Sequence, residues 1–235
     1  MQKKIKKFIP KNLLGIILMF KRKYFTRCWN KSYSQEGEDM VLRRIFEKKN
    51  DGFYIDVGAH HPKRFSNTYL FYKKGWNGIN IDAKPGSMKV FDRLRPRDLN
   101  IEIPISENPG ILKYYMFNEP ALNGFCKSIS EDRNSRGIYW IESIVELETM
   151  RLDDVLNENI PKGTDIDFLS IDVEGLDFEV IRSLDLIKYM PRFILIEILG
   201  SSLEELIDSR VSNYLKKYNY TIYGKTMNTV FFKRC

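Results

Sequence analysis

Acidic and imidazole side chains stand at the end of a predicted buried strand in this sequence. The run Phe-Tyr-Ile-Asp-Val-Gly-Ala-His-His carries Asp56 inside the strand and His60 and His61 just after it. A buried carboxylate is costly unless a partner satisfies it, and ligands of open α/β sheets bind at the carboxyl ends of the strands. We therefore expect a ligand at this turn, where Gly58 and Ala59 let the backbone approach it closely.

Two further predicted strands end in carboxylates. Asp82 closes the next strand, 24 residues after Gly58, and an acid about 20 residues past the first turn is where Rossmann-type sites hold ribose hydroxyls. Asp172 and Glu174 follow a later apolar strand, two residues apart and therefore on one face of the chain while it stays extended. Because the carboxyl ends of parallel strands meet at one edge of a sheet, these acids predict a shared cleft.

The turn after the first strand argues against a dinucleotide site. A pyrophosphate needs three glycines in the order G-x-G-x-x-G so that it can lie against a helix N-terminus, whereas this turn holds one glycine and two bulky imidazoles. The lysine motif of a phosphate-binding loop does not occur either. A carboxylate just before the turn repels phosphate and suits a ligand with an ammonium or sulfonium charge, such as S-adenosylmethionine.

Strands and helices are predicted to alternate along the chain, which is typical of one doubly wound α/β domain. The length of 235 residues and a hydrophobic content of 43% allow such a domain a well-filled core. Residues 107–150 are the least regular part: we expect 121–137 to form a surface loop and the whole segment to shape acceptor choice. The predicted strands are 53–57, 78–82, 100–105, 111–117, 144–147, 167–171, 193–198, 220–223 and 229–233, with a hairpin at the end.

Charge divides the chain at residue 31. Residues 1–31 contain ten Lys or Arg and no acid, whereas residues 32–235 carry 28 basic against 31 acidic side chains, although the whole chain is at +7. The body therefore gives no charge argument for binding or methylating nucleic acid. The apolar run 13–20 of this leader is shorter than the about 20 residues that cross a bilayer. A basic cluster follows the run where a signal peptide would have a cleavage site.

Two roles remain open for the leader. A basic, aliphatic helix suits an anionic membrane surface, and the alternative is a helix packed on the body or a disordered tail. The three cysteines are odd in number and lack CxxC spacing, which favours free thiols in a reducing compartment over a zinc site. We expect a cytoplasmic protein, with peripheral contact to the inner membrane face through residues 1–30 as a hypothesis.

Six runs of the chain, taken in their order, carry a more specific signal. Any one of them is weak evidence, but the ordered set closely resembles the FkbM family of S-adenosylmethionine-dependent methyltransferases over about residues 32–200. The runs are Ser34-Gln35 with Gly37-Glu38-Asp39, Tyr54 to Pro62, Ser66-Asn67-Thr68, Phe71-Tyr72, Gly75 to Asp82, and Asp167 to Gly175.

The resemblance implies an α/β, class I (Rossmann-like) methyltransferase fold: a seven-stranded, mostly parallel sheet with helices on both faces and a C-terminal β-hairpin. It implies S-adenosylmethionine as the cofactor, bound over the carboxyl ends of the strands, and O-methylation as the activity. Family members act on sugars of surface glycans or on hydroxyls of secondary metabolites. Carried over by position, Asp56, Gly58 and Ala59 would line the methionine part of the cofactor, and His60 would lie on the cofactor side. Asp82 would hold the ribose, and Ser106 would lie near the adenine. Gln35 would approach the cofactor from the amino-terminal helix.

A sugar hydroxyl is a poor nucleophile at neutral pH, so the expected methyl transfer needs a base. We assign this role to His61, whose ordinary pKa is about 6.5, with Glu174 or Asp172 orienting it or taking the proton instead. His61 is alternatively a cap of the next helix, and the two acids are alternatively a hydrogen-bonded pair that fixes the turn.

The expected function is O-methylation of a sugar hydroxyl in surface-polysaccharide biosynthesis. The alternatives are another small-molecule hydroxyl and a domain that binds cofactor or glycan without turnover.

A divalent metal ion is the rival to this base. His61, Asp172 and Glu174 are of the residue types that ligate such an ion, which would activate the hydroxyl directly. We favour a site without a metal, and a chelator distinguishes the two.

Overall fold

The computed structural model describes residues 10, 13–17, 19–20, 30–161, 163–200 and 202–235. The chain divides into two compact units, Met1–Lys31 and Ser32–Cys235. In the first unit, residues 13–17 and 19–20 are helical. Over the described ranges, helices are too short or too polar to cross a bilayer.

The second unit contains nine strands over the residues described: β1 (Phe53–Val57), β2 (Asn77–Asp82), β3 (Leu99–Glu102), β4 (Ile111–Phe117), β5 (Ile141–Glu148), β6 (Phe168–Ile171), β7 (Phe193–Glu197), β8 (Tyr220–Lys225) and β9 (Thr229–Arg234). Seven of them form one sheet in the order β3-β2-β1-β6-β7-β9-β8. β6 lies at the centre, β1 lies between β2 and β6 and is parallel to both, and β9 runs antiparallel to both β7 and β8. The predicted mostly parallel sheet with a C-terminal hairpin is confirmed.

The helices of this unit are α1 (Glu38–Ile45), α2 (Tyr69–Lys73), α3 (Met88–Leu94), α4 (Lys127–Ser135), α5 (Leu152–Asn159), α6 (Asp177–Arg182), α7 (Leu203–Ile207) and α8 (Arg210–Lys216). They cover both faces of the sheet, because alternate residues of each strand point to opposite sides. Ile55 and Val57 of β1 share one apolar core with α5, α6 and α8, whereas Tyr54 packs with α1, α2 and Trp76 on the other face. The expected class I arrangement is therefore present.

The segment between β3 and α5 lies outside the main sheet. β4 and β5 pair only with each other as an antiparallel sheet of two strands. The prediction of a loop over residues 121–137 was wrong, since this stretch contains α4. Its sequence Lys-Ser-Ile-Ser-Glu-Asp-Arg-Asn-Ser has one apolar residue, so no hydrophobic period marks the helix.

Candidate active site

A cavity open to solvent lies at the carboxyl ends of β1, β2 and β6, with about 810 Å³ of empty space including its open part. The chain before α1 and the connection between β4 and α4 complete its walls. Six of the ten site residues predicted from the sequence line this cavity: Gln35, Gly58, His60, Asp82, Asp172 and Glu174. The structure thus brings the acids of three strand ends into one cleft.

The backbone after β1 passes directly against the backbone after β6. Gly58 has a φ of +84°, and a Cβ built on it would lie 1.7 Å from the carbonyl oxygen of Asp172. The N–H groups of Gly58 and Ala59 both donate to the carbonyl of Ile81, at 2.9 and 3.1 Å. Only glycine satisfies the positive φ and the close approach together, and this contact fixes the floor of the cavity.

Asp82 presents a carboxylate to the cavity from the end of β2. Its Oδ2 accepts the N–H of His60 and its Oδ1 accepts the N–H of Lys84, both at 2.8 Å. Burial raises the pKa of Asp82, and these two hydrogen bonds oppose that shift. Because each carboxylate oxygen has a second lone pair, Asp82 can also accept the two neighbouring hydroxyls of a ribose.

Asp56 does not reach the cavity. It shares a face of β1 with Tyr54, and its Oδ2 accepts the hydroxyl of Thr68 at 2.7 Å. Thr68 in turn accepts from Arg95 at 3.0 Å, and Arg95 pairs with Asp98 at 2.7 Å. The expected place of Asp56 beside the methionine part of the cofactor is therefore corrected: side chains alternate along a strand, and this one points to the sheet face rather than to the strand end.

Ala59 and Ser106 lie behind the cavity wall. Ala59 is buried against Met88 and Phe91 of α3. Ser106 is buried as well, while residues 103–105 just before it line the cavity. Neither residue lines the cavity, and their contacts with the cofactor stay predictions.

The two histidines have different surroundings. His61 does not line the cavity, and its Nδ1 accepts the N–H groups of Lys63 and Arg64 at 3.1 and 3.0 Å, as a cap of the following turn does. His60 lines the cavity, and among the residues described its buried Nε2 has no hydrogen-bond partner. Burial and then Arg64 lower the pKa of His60 to about 4. His60 is thus a neutral imidazole that can serve a bound molecule through Nε2, whereas the geometry does not favour His61 as a base.

Three carboxylates meet near the ends of β6 and β7. Oxygens of Asp172, Glu174 and Glu197 lie within 4.8 Å of one another. Burial, then the nearby Glu174 and Asp177, raises the pKa of Glu197 to about 8. Burial, then Glu197, raises the pKa of Asp172 well above its usual range. Asp172 is exposed to solvent where it lines the cavity, so the neighbouring negative charge of Glu197 is the cause of its raised pKa that its position supports.

Glu174 differs from the other two acids because it has a cationic partner. Its Oε2 accepts Nη2 of Arg133 at 2.6 Å, and Arg133 also donates to the carbonyl of Leu122 at 3.2 Å. Asp177 fixes the turn around Glu174 by accepting the N–H of Gly175 at 3.2 Å. This turn holds Glu174 at a φ of +54°, a conformation that non-glycine residues seldom adopt. Helix α4 is thereby tied to the wall of the cavity.

A second, smaller cavity adjoins the first, with about 300 Å³ of empty space including the part open to solvent. The two cavities share Gln35, Phe65 and Asp172 as lining residues and so adjoin at these three side chains. The full lining of the second cavity is Gln35, Glu36, Glu38, Phe65, Asn67, Asp172, Glu197, Asn228 and Thr229.

Sequence reasoning missed Glu197 and Phe65, which line these cavities, and Arg133, which pairs with Glu174 of the first one. Glu197 ends β7 as Asp82 ends β2, so an acid at a strand end was the signal that identifies it. In the candidate metal set, Glu197 takes the place that His61 was expected to hold. Nothing in the local sequence marks Arg133 or Phe65, because their positions depend on how the segments around them fold.

The first cavity fits S-adenosylmethionine by the chemistry of its lining. Asp82 can offer both oxygens to ribose hydroxyls, and Gly58 lines the same cavity. The unpartnered Nε2 of His60 can hydrogen-bond a polar group of the cofactor. Ile81 and residues 103–105 supply the apolar wall that an adenine ring requires.

Comparisons with known proteins bear on the same region. The family described as the methyltransferase FkbM domain matches residues 56–222. No curated protein matches the chain significantly. A candidate RNA methyltransferase from Pyrococcus horikoshii is similar in structure, with 9% identity and a TM-score of 0.44 over 96% of this chain and 99% of that one. A TehB-like S-adenosylmethionine-dependent methyltransferase from Corynebacterium glutamicum has 9% identity and a TM-score of 0.38 over 94% of this chain and 96% of that one. A candidate O-methyltransferase from Klebsiella pneumoniae has 11% identity and a TM-score of 0.41 over 98% of this chain and 94% of that one.

The family match carries the assignment. It extends over more than half of the chain, from Asp56 in β1 to Ile222 in β8, and so includes Gly58, Asp82 and Asp172 at the strand ends. The resemblance found in the sequence is thereby confirmed. The chain belongs to the FkbM family of methyltransferase domains and is an S-adenosylmethionine-dependent methyltransferase.

Proposed function

We propose that this methyltransferase methylates a hydroxyl oxygen of a sugar, in the biosynthesis of a surface polysaccharide or other glycan. The observation that carries the proposal is the junction of the two cavities at Asp172. A sugar in the second cavity would find amide and carboxylate side chains for its hydroxyls, and Phe65 for an apolar face of its ring. Asp172 would then lie between the acceptor and the cofactor.

The chain's own contribution is to hold both molecules and to remove one proton. S-adenosylmethionine, when bound, supplies a methyl group activated by a sulfonium charge. Asp82, Gly58 and His60 would hold this cofactor through its polar groups. The acceptor hydroxyl would donate its hydrogen bond to Asp172 and lose its proton to that carboxylate as the oxygen becomes methylated.

The raised pKa of the Asp172–Glu197 pair supports this assignment. A carboxylate with a raised pKa is a stronger base than an ordinary one, and a catalytic base works best with a pKa near the operating pH. Two interacting carboxylates titrate as a pair, and Glu197 contributes by keeping the pKa of Asp172 high. His61 is less suited, since its Nδ1 already accepts two backbone N–H groups.

The test is turnover with a panel of sugars, using full-length protein, S-adenosylmethionine and the detection of S-adenosylhomocysteine. Asp172→Asn is expected to lower kcat by about 10²- to 10⁴-fold and to change cofactor affinity by less than about threefold. Full turnover of this variant would contradict the role of Asp172. Cofactor binding without turnover of any hydroxylated acceptor would instead establish the alternative, a domain that binds without catalysing.

A further inference from the structure

The side-chain amide of Asn123 is bonded at its oxygen and free at its nitrogen. Its Oδ1 accepts the N–H of Phe117 at 2.8 Å, which fixes the end of the amide that is oxygen. Asn123 is 7% exposed, and among the residues described its buried Nδ2 has no hydrogen-bond partner. A buried donor without an acceptor costs about 1–3 kcal/mol, and such groups are rare. Nδ2 is therefore available to an acceptor atom of a bound molecule.

Asn123 lies in the wall of the first cavity, in the connection between β4 and α4. The next residue, Gly124, forms two backbone hydrogen bonds with Tyr115 of β4, at 2.9 and 3.2 Å, which hold this connection in place. A Cβ built on Gly124 would lie 2.9 Å from the carbonyl oxygen of Glu174. The connection thus packs against the turn after β6, and Asn123 lies on the β6 side of the cavity.

Tyr114 is a polar neighbour of this amide, and it lines the cavity as well. Burial raises the pKa of Tyr114, and Asn123 opposes this rise, which shows that the two side chains are close. The Tyr114 hydroxyl is nevertheless not a hydrogen-bond partner of Nδ2. Tyr114 therefore brings a second neutral polar group to this part of the wall and leaves Nδ2 free.

The order of the strands indicates which part of the cofactor comes near Asn123. Residues 103–105, which follow β3, supply the apolar wall for adenine, and Asp82 at the end of β2 can accept the ribose hydroxyls. The strands lie in the order β3-β2-β1-β6. A cofactor with its adenine at β3 and its ribose at β2 therefore extends its methionine part toward β1 and β6, the side on which Asn123 lies.

The methionine part carries the one anionic group of the cofactor, its carboxylate. Three acids line the cavity, Asp82, Asp172 and Glu174, whereas among the lining residues described Lys84 is the one with a permanent positive charge. Lys84 belongs to the ribose side, because its N–H donates to Asp82. A carboxylate on the β6 side therefore needs a neutral donor, and the N–H of an amide side chain is one.

We propose that Nδ2 of Asn123 donates a hydrogen bond to the carboxylate of the cofactor's methionine part. The connection between β4 and α4, which lies outside the main sheet, then takes part in cofactor binding. The inference rests on the cofactor of the family and is independent of the acceptor. Its rivals are contacts of the same donor with a ring nitrogen of adenine or with an oxygen of the acceptor.

The test compares S-adenosylhomocysteine with its decarboxylated analogue, which lacks the carboxylate and keeps the adenosine, the thioether and the amino group. In calorimetric titrations of the full-length protein, the analogue is expected to bind at least about tenfold more weakly, because a hydrogen bond to a charged group is lost. Equal affinities for the two ligands would overturn the inference, and this comparison requires no variant.

Asn123→Asp tests whether this side chain makes the contact. Aspartate keeps an acceptor for the N–H of Phe117 and replaces Nδ2 by a carboxylate oxygen. S-adenosylhomocysteine is expected to bind at least about tenfold more weakly, and the analogue to change by less than about threefold or to bind more tightly. Equal losses for both ligands would assign the donor to the adenosine part and contradict the inference. Unchanged affinity for both with reduced turnover would assign it to the acceptor and contradict the inference as well.

Asn118→Asp is the matched control. Asn118 stands in the same connection, and its Oδ1 also accepts a backbone N–H, that of Trp140 at 3.0 Å, but it lines neither cavity. Both affinities should change by less than about threefold, as is usual for a substitution away from the site. A loss of S-adenosylhomocysteine affinity equal to that in Asn123→Asp would show that added negative charge, rather than the lost donor, is responsible.

Discussion

Carboxylates that look alike in the sequence perform different tasks in the folded chain. Asp56, Asp82 and Asp172 each stand in or just after an apolar strand. Asp82 and Asp172 line the cavity, whereas Asp56 turns toward the helices that cover one face of the sheet. The direction in which the side chain points from its strand, rather than the residue type, therefore decides which acid can contact a ligand.

Cofactor affinity tests this distinction. Asp82→Asn is expected to weaken S-adenosylmethionine binding at least about tenfold, because it exchanges a charged acceptor for an amide. Asp56→Asn is expected to change the affinity by less than about threefold, because Thr68 is its hydrogen-bond partner and no cofactor contact is lost. Calorimetric titration measures both. A comparable loss in Asp56→Asn would restore the place that the sequence predicted for it.

The pH dependence of kcat/KM tests which residue is the catalytic base. An acid with a raised pKa is protonated below that pKa and cannot accept a proton, so kcat/KM is expected to rise about tenfold per pH unit below the pKa of Asp172 and to level off above it. Glu197→Gln removes the negative neighbour that raises the pKa of Asp172, so the rise should move to lower pH. His61→Ala should leave the profile unchanged. Burial and then Arg64 lower the pKa of His61, so a midpoint below about 6.5 that disappears in His61→Ala would make His61 the base.

Metal removal tests whether a divalent metal ion, rather than Asp172, activates the acceptor hydroxyl. With Asp172 as the base, a chelator should leave turnover unchanged, and added Mg²⁺ or Mn²⁺ should not increase it. Loss of activity with the chelator, restored by either ion, would assign Asp172, Glu174 and Glu197 as metal ligands.

At the scale of elements, the floor of the site depends on how closely β1 and β6 approach each other. Gly58→Ala would place a Cβ against the Asp172 carbonyl and keep a positive φ, and we expect it to lower the free energy of unfolding by more than about 3 kcal/mol. Gly75 has a φ of +102° with no atom within 4 Å of a built Cβ. Gly75→Ala therefore carries the backbone strain alone, about 1–2 kcal/mol. Urea denaturation compares the two, and equal losses would contradict the steric contact.

Elements with a strong hydrophobic period were predictable from the sequence, and elements without one were not. The apolar runs of β1, β2 and β6, with the acids at their ends, identified both the sheet and the cleft. Helix α4 has a single apolar residue and was missed, and with it the ion pair of Arg133 to Glu174. The second cavity was unpredictable for a related reason, since it joins the chain before α1 to Asn228, almost two hundred residues later.

At the scale of the whole molecule, the basic leader raises the question of location. The described residues of its helix expose Leu13, Ile16 and Met19 by half or more. The leader has ten basic residues and no acidic one, and nine of the ten lie outside the described residues. We propose that this segment binds the anionic inner face of a membrane and holds the enzyme near its glycan acceptor.

Vesicle sedimentation tests this proposal. The full-length protein should bind vesicles with anionic lipids, more weakly at high salt, and should not bind zwitterionic ones. Removal of residues 1–31 should abolish binding and leave S-adenosylmethionine affinity unchanged, since residues 32–235 form a compact unit of their own. Equal binding by the shortened protein would show that the leader is not the membrane contact.

The position of the transferred methyl group tests the central claim most directly. The full-length enzyme would be incubated with the panel of sugars and with S-adenosylmethionine that carries an isotope-labelled methyl group, and the product would be examined by NMR and mass spectrometry. Transfer to a hydroxyl oxygen with Asp172 as the base predicts a methyl ether. A methyl group on nitrogen or carbon would contradict it.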